Sequence, residues 1–149
     1  MKKSTGIKML AFTLLAVLAT ACSKYEEGSK FTFLSKKSRV VNTWKMDKIT
    51  STVDATGTIT DLTSIYPAIE IDFNKDDTYE VRTTVEIFGT LTTNTSTGTW
   101  AFNSDKTNLV TTDSNGNVDE ATIIMLKKNE MKTQFTDNGI TYLSEYSTK

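Results

Sequence analysis

Histidine is missing from this 149-residue chain, and cysteine and proline occur once each. The absence of histidine removes the side chain most often used as a general base or metal ligand near neutral pH. Cys22, as the lone cysteine, can form no intrachain disulfide. The seven glycines build neither a Gly-x-Ser-x-Gly elbow nor a phosphate-cradling loop. Two stretches share the opening spacing of a calcium loop, Asp72-x-Asn74-x-Asp76 and Asp113-x-Asn115-x-Asn117. In the first, Asp77 stands where the turn glycine belongs, and the closing glutamate positions hold Thr83 and Ile124. Both read as hairpin turns. The expectation is a non-enzymatic protein with no metal and no cofactor.

Long apolar runs are also scarce. The one at residues 9–18 falls short of the about 20 residues that a membrane-crossing helix needs. Lys2, Lys3 and Lys8 precede it, and Ala19-Thr20-Ala21-Cys22 closes it. A basic start, a short apolar stretch and a small-residue exit make a secretory signal peptide. With a cysteine at the cleavage point, residues 1–22 resemble the signals of bacterial lipoproteins, although Ala19 stands where a branched apolar residue is usual. The resemblance implies cleavage before Cys22 and lipidation of its thiol by diacylglycerol, with palmitate-type acyl chains. Several chains hold a membrane more firmly than one, at about 0.8 kcal/mol per buried CH₂.

The chain then divides into a signal peptide (1–21), a lipidated cysteine with a polar tether (22–30) and a folded domain (31–149). Glu26 and Glu27, soon after the cysteine, resemble surface-export signals of Bacteroidota-type lipoproteins. The expected location is the cell envelope, at the outer membrane, facing the periplasm or the cell surface.

Loss of residues 1–21 takes away three lysines and no acid, leaving 14 basic against 18 acidic residues and a net charge of −4. An acidic chain lacks the basic surface that displaces phosphate counterions, which argues against a nucleic-acid partner. Roughly 125 residues remain, enough for one compact domain. Threonine, with 28 copies, dominates the composition. It is a strand former, as are the Val, Ile, Tyr, Phe and Trp beside it, and the domain is expected to be all-β.

Residues 29–38 predict a short helix capped by Ser29, with Phe31 and Leu34 on one face. From Val40 to Val53 the period is two, with Trp44 and Met46 opposite Lys45 and Asp47. Residues 54–68 are mixed, with a turn at Asp54-Ala55-Thr56-Gly57 and a loop at Tyr66-Pro67. Ile69, Ile71 and Phe73 alternate with acids, and Tyr79, Val81, Val85 and Ile87 alternate with charged residues, so two strands flank the turn at 74–77. Residues 89–97 read as a Gly/Thr/Asn-rich turn region, with room for short strand pairing around Thr90–Thr92. Further strands are expected at 98–102, 108–112, 118–126, 131–136 and 140–146, with Asn115-Gly116 and Asn138-Gly139 marking tight hairpins. About eight short strands in series, with no helical crossover, predict an eight-stranded antiparallel up-and-down barrel with a short N-terminal helix.

Three segments carry a family resemblance. They are Val40-Val41-Asn42-Thr43-Trp44-Lys45-Met46, Ile71-Asp72-Phe73 followed by Asp76-Asp77-Thr78-Tyr79, and Gly98-Thr99-Trp100-Ala101-Phe102. In that order, across residues 38–146, they resemble the lipocalin-like domains of Bacteroidota lipoproteins. Asn42 departs from the glycine that the family places two before the tryptophan. The resemblance implies a meander barrel with a tryptophan near its closed end and, in true lipocalins, an apolar ligand cavity.

The inward candidates for a pocket are Ile71 and Phe73 on one strand and Tyr79, Val81, Val85 and Ile87 on the next. Trp100 and Phe102 join them from the Gly-x-Trp strand, and Met131, Phe135 and Tyr142 from the last two. Tyr79 and Tyr142 would supply polar contacts. Residues 66–67 and 89–97 would rim the mouth, and Trp44 would close the base as a structural residue. Two readings stand: a barrel open enough for a small hydrophobic ligand, or a barrel filled by its own side chains. A filled barrel would act through loop contacts with a protein or glycan partner.

Overall fold

The computed structural model describes residues 34–149. The signal segment, Cys22, the tether and the Ser29 and Phe31 end of the expected helix lie outside these residues. The described chain runs α1 (Lys36–Val40), β1 (Thr43–Val53), β2 (Thr58–Asp61), β3 (Ala68–Phe73), β4 (Thr78–Ile87) and β5 (Thr90–Phe102). It continues through β6 (Asn108–Asp113), β7 (Val118–Leu126), β8 (Glu130–Asp137) and β9 (Ile140–Thr148). Every pairing is antiparallel, β3 to β9 follow in sequence order, and β1 closes the ring by pairing with both β3 and β9. Eight strands therefore make a closed up-and-down barrel, as the sequence predicts.

Three expectations change. Among the described residues the helix is Lys36–Val40, running two residues past the expected end, with Ser35 as its cap: the Ser35 hydroxyl accepts from the Ser38 amide at 3.0 Å. The first strand accordingly begins at Thr43 rather than Val40. A ninth strand, β2, covers Thr50–Val53 of β1. All four of its residues are exposed, so it carries no apolar alternation to betray it. Finally, residues 89–97 are not a turn region. β5 runs unbroken from Thr90, and the turn is only Phe88-Gly89, both at positive φ (51° and 78°). This is the backbone that two-residue hairpins prefer, and a phenylalanine is an unusual occupant of it. The inward positions Thr92, Asn94 and Ser96 are polar, which hid the strand's period.

One end of the barrel is packed solid. Val40, Trp44, Phe73, Tyr79, Trp100, Leu109, Ile123, Leu126 and Met131 form a single buried cluster there. Phe73 meets Trp100 edge-on at 5.4 Å, and Trp100 meets Phe102 edge-on at 5.7 Å. The α1 helix lies at this end. Its Arg39 is buried and donates to the Leu126 carbonyl at 2.6 Å, while the Trp44 indole donates to the Val40 carbonyl at 2.8 Å. Trp44 is wholly buried at this end.

The opposite end is loose, and exposed apolar residues gather on it: Ile59, Ile65, Ile87, Phe88 and Leu91.

Outside the wall, Arg82 on β4 bonds Asp72, Glu80 and Glu70. Burial alone would raise the Asp72 pKa, but the Thr43 hydroxyl and the Arg82 guanidinium outweigh it and hold it low. Glu70 is held low mainly by Lys149, with Arg82 adding to it. A carboxylate with a depressed folded pKa stabilises above its unfolded value and loses that contribution as pH falls through the folded one. Replacing Arg82 with Ala therefore removes about 1–2 kcal/mol at pH 7, after allowance for solvent screening. As pH falls below the ordinary carboxylate values and through the lowered folded ones, the gap narrows. Urea denaturation of both proteins at pH 7 and pH 3 checks this, and an equal gap at both pH values would contradict it.

Candidate ligand-binding cavity

In an antiparallel sheet, directly opposed residues share a face, so the strand registers define the interior. One row runs Phe73, Tyr79, Gly98 and Asp113, and another Phe102, Leu109 and Ala121. A third runs from Trp100 through Thr111 to Asp119. On the far wall Ile123, Thr133, Ser144 and Ile49 form a row, and Met131, Tyr146 and Met46 form the next.

Between these walls lies a cavity of about 390 Å³. It is lined by Ile71, Phe73, Leu109, Thr111, Asp119, Glu120, Ala121, Met131, Thr133, Phe135 and Tyr146. The buried Phe73, Leu109 and Met131 make its floor, while the exposed Phe135 and Asp119 stand at its mouth. This size and a mainly apolar lining suit a small molecule. A larger hollow of about 600 Å³ is lined mainly by charged side chains, among them Asp47, Lys48, Lys127 and Glu145, and offers an apolar molecule little.

Four sequence candidates line the cavity: Ile71, Phe73, Met131 and Phe135. The others do not. Tyr79 and Trp100 are buried in the packed end, and Val81 and Phe102 pack against it. Val85 and Ile87 lie at the loose end of β4, with Ile87 about half exposed. Tyr142 stacks on Phe135, ring centroids 4.7 Å apart and nearly parallel, so it supports the mouth from behind. The expected rim at 89–97 is strand.

Sequence reasoning missed Leu109, Thr111, Asp119, Glu120, Ala121, Thr133 and Tyr146. A search for large apolar inward residues passes over polar and small ones. Strand parity from the Asn115-Gly116 hairpin could have placed Thr111 and Asp119 together.

The polar groups of the interior are neutral on one side and acidic on the other. Burial raises the Tyr146 pKa, and the Ser144 and Thr133 hydroxyls pull it back only in part, so the phenol keeps its proton. The Tyr79 pKa is raised by burial and then by Asp113 and Asp119. The Asp113 carboxylate accepts from the Asn115 and Asn117 amides at 2.8 Å and from the Asn117 side chain, tying the β6–β7 turn. Asp76 likewise accepts from Thr78 in the β3–β4 turn. Both partial calcium-loop motifs thus serve as turn braces. Glu120 accepts from Asn108 at 2.7 Å. No cluster of acidic or cysteine side chains suited to a metal ion occurs among the described residues.

A sequence model of the family described as "Lipocalin-like domain" matches residues 40–133. No curated protein matches the chain in sequence. Among solved structures, the chain is similar to a bovine odorant-binding protein complexed with a selenium-containing odorant. That match has 12% identity and a TM-score of 0.46, over 81% of this chain and 77% of that one. It is also similar to the bovine lipocalin allergen Bos d 2, at 13% identity and a TM-score of 0.47 over 76% and 74%. A de novo designed fluorescence-activating β-barrel matches at 14% identity and a TM-score of 0.42, over 78% and 100%.

Proposed function

Because the chain belongs to the lipocalin-like domain family, we propose that it holds a small hydrophobic ligand in the cavity between β3 and β6 to β9. Proteins of this family are binding proteins, generally non-enzymatic. The observation that carries the reading is the void itself. An eight-stranded barrel can be filled by its own side chains, yet this one is filled at one end and hollow above Phe73, Leu109 and Met131. Affinity would come from burying apolar ligand surface, at about 25 cal/mol per Å² before association costs.

Ala121 is the place to test it, because a larger side chain there occupies the void. Ala121→Phe is expected to weaken binding of an apolar fluorescent dye by about tenfold or more, with the far-ultraviolet spectrum of the folded protein retained. Undiminished dye binding in the folded variant would remove the cavity from consideration.

The same proposal hangs the barrel from the cell envelope through lipid on Cys22, at the outer membrane. Its support is the order of residues 2–22: lysines, apolar run, small residues, cysteine. Incorporation of labelled palmitate that Cys22→Ser abolishes is the expected result, and label retained by that variant would refute the anchor.

A second reading, contact with a protein or glycan partner, is favoured by the apolar side chains exposed at the loose end, Phe88 and Leu91 among them. The dye titration separates the two, since a barrel that works only through such contacts leaves an interior-binding dye free.

A further inference from the structure

We infer that the cavity selects an amphiphile with a protonated amine head over one with a carboxylate head such as a fatty acid. The inference rests on the ligand-binding reading above and specifies the chemistry of its ligand.

The strand registers sort the charged strand residues to one face or the other, apart from Asp47 at the β1 bulge. Those that fall on the inner face are Asp113, Asp119 and Asp137, all acidic. The lysines and arginine of the strands fall on the outer face. Lys45 stands opposite Glu70, which stands opposite Arg82, and Lys132 and Lys48 both stand opposite Glu145. The remaining described cations lie on α1, in the turns of the packed end, or at the C-terminus beside it. Arg39, the one buried cation among the described residues, donates to the Leu126 carbonyl and is absent from the cavity lining.

A carboxylate head entering this space meets no cation among the described residues that line it. It finds the neutral hydroxyls of Thr111, Thr133 and Tyr146, and at the mouth a like charge on Asp119. Taking an anion out of water without a partner, next to another anion, is opposed twice over. An ammonium head meets the opposite situation. Asp113 is already engaged by Asn115 and Asn117, and Glu120 by Asn108. Asp119 forms no hydrogen bond or ion pair with a described residue, and it borders the cavity where the lining turns from apolar to wet. An apolar tail on Phe73, Leu109 and Met131 puts the head of a molecule of matching length beside that carboxylate. A charge-assisted hydrogen bond then forms at the mouth, with the tail held in the apolar part below it.

The test is displacement of a neutral apolar dye from the full-length protein at pH 7 by decylamine, decanol and decanoate, which share one tail length. Decylamine is expected to displace the dye at a concentration about tenfold or more below decanoate, with decanol between them. Asp119→Asn is expected to bring the amine-to-carboxylate ratio close to one. Decanoate competing as well as decylamine, or an amine preference that survives Asp119→Asn, overturns the head-group selectivity while leaving the ligand reading intact. A dye that never binds the folded protein overturns both.

Discussion

Gly98→Ala is expected to cost the fold about 3 kcal/mol or more, a large penalty for one methyl group. A Cβ at position 98 would sit 2.1 Å from the Thr112 carbonyl oxygen, 2.8 Å from Cε1 of Tyr79 and 3.0 Å from Cα of Asp113. Two of these three atoms are backbone. Gly98 pairs with Tyr79 on one side and Asp113 on the other, so the Thr112 carbonyl cannot retreat without opening the β5–β6 ladder. The Tyr79 ring is equally held, lying against the missing side chain with Phe73 behind it. The glycine is there because an aromatic ring needs its space, which is a common use of glycine within a strand. Urea unfolding should show the midpoint shifting while the slope stays constant. A change below about 0.5 kcal/mol, the usual range for a surface substitution, would show that the barrel wall relaxes in a way this packing does not allow.

Trp44→Ala should cost about 3–5 kcal/mol, the usual range for emptying a large aromatic site in a core. The indole is fully buried at the packed end and its nitrogen donates to the Val40 carbonyl at 2.8 Å. Truncation leaves a void and strands that carbonyl, which also ends α1. Trp44→Phe keeps most of the volume and loses the hydrogen bond, so it should cost about 1–2 kcal/mol. The two variants together separate packing from hydrogen bonding. Equal losses would mean that the bond to Val40, rather than the ring, fastens the helix to the barrel.

What could be read from the sequence follows from where polar and apolar residues alternate. β3 and β4 were legible to within a residue because Ile69, Ile71 and Phe73 face inward and Glu70 and Asp72 outward, with Arg82 answering them from the next strand. β7 was legible at both ends, bounded by turn residues. β2 and the first half of β5 were not, because period-two reasoning needs an apolar inner face. Thr58–Asp61 is exposed throughout, and Thr92, Asn94 and Ser96 point into the roomy half of the barrel, where no dry core demands hydrophobic side chains.

The cavity was half legible for the same reason. Its floor is built from residues that a hydrophobic search finds, Phe73 and Met131. Its polar lining sits in Thr133, Tyr146 and Asp119, which such a search discounts. Other candidates it gathered, Tyr79 and Trp100 among them, face inward but lie in the solid end, outside the cavity lining. Alternation gives the face of a residue and not its height along the barrel axis.

The burial of both tryptophans at the packed end has a spectroscopic consequence. Neither Trp44 nor Trp100 borders the cavity, and each indole nitrogen is already bonded to a backbone carbonyl, of Val40 and Asn74 respectively. Indole emission should therefore be blue-shifted in the native protein and should track melting of the barrel base, while remaining nearly silent to whatever occupies the hollow above. A dye in the cavity and the native tryptophans then become two independent reporters within one small barrel, one for occupancy and one for integrity.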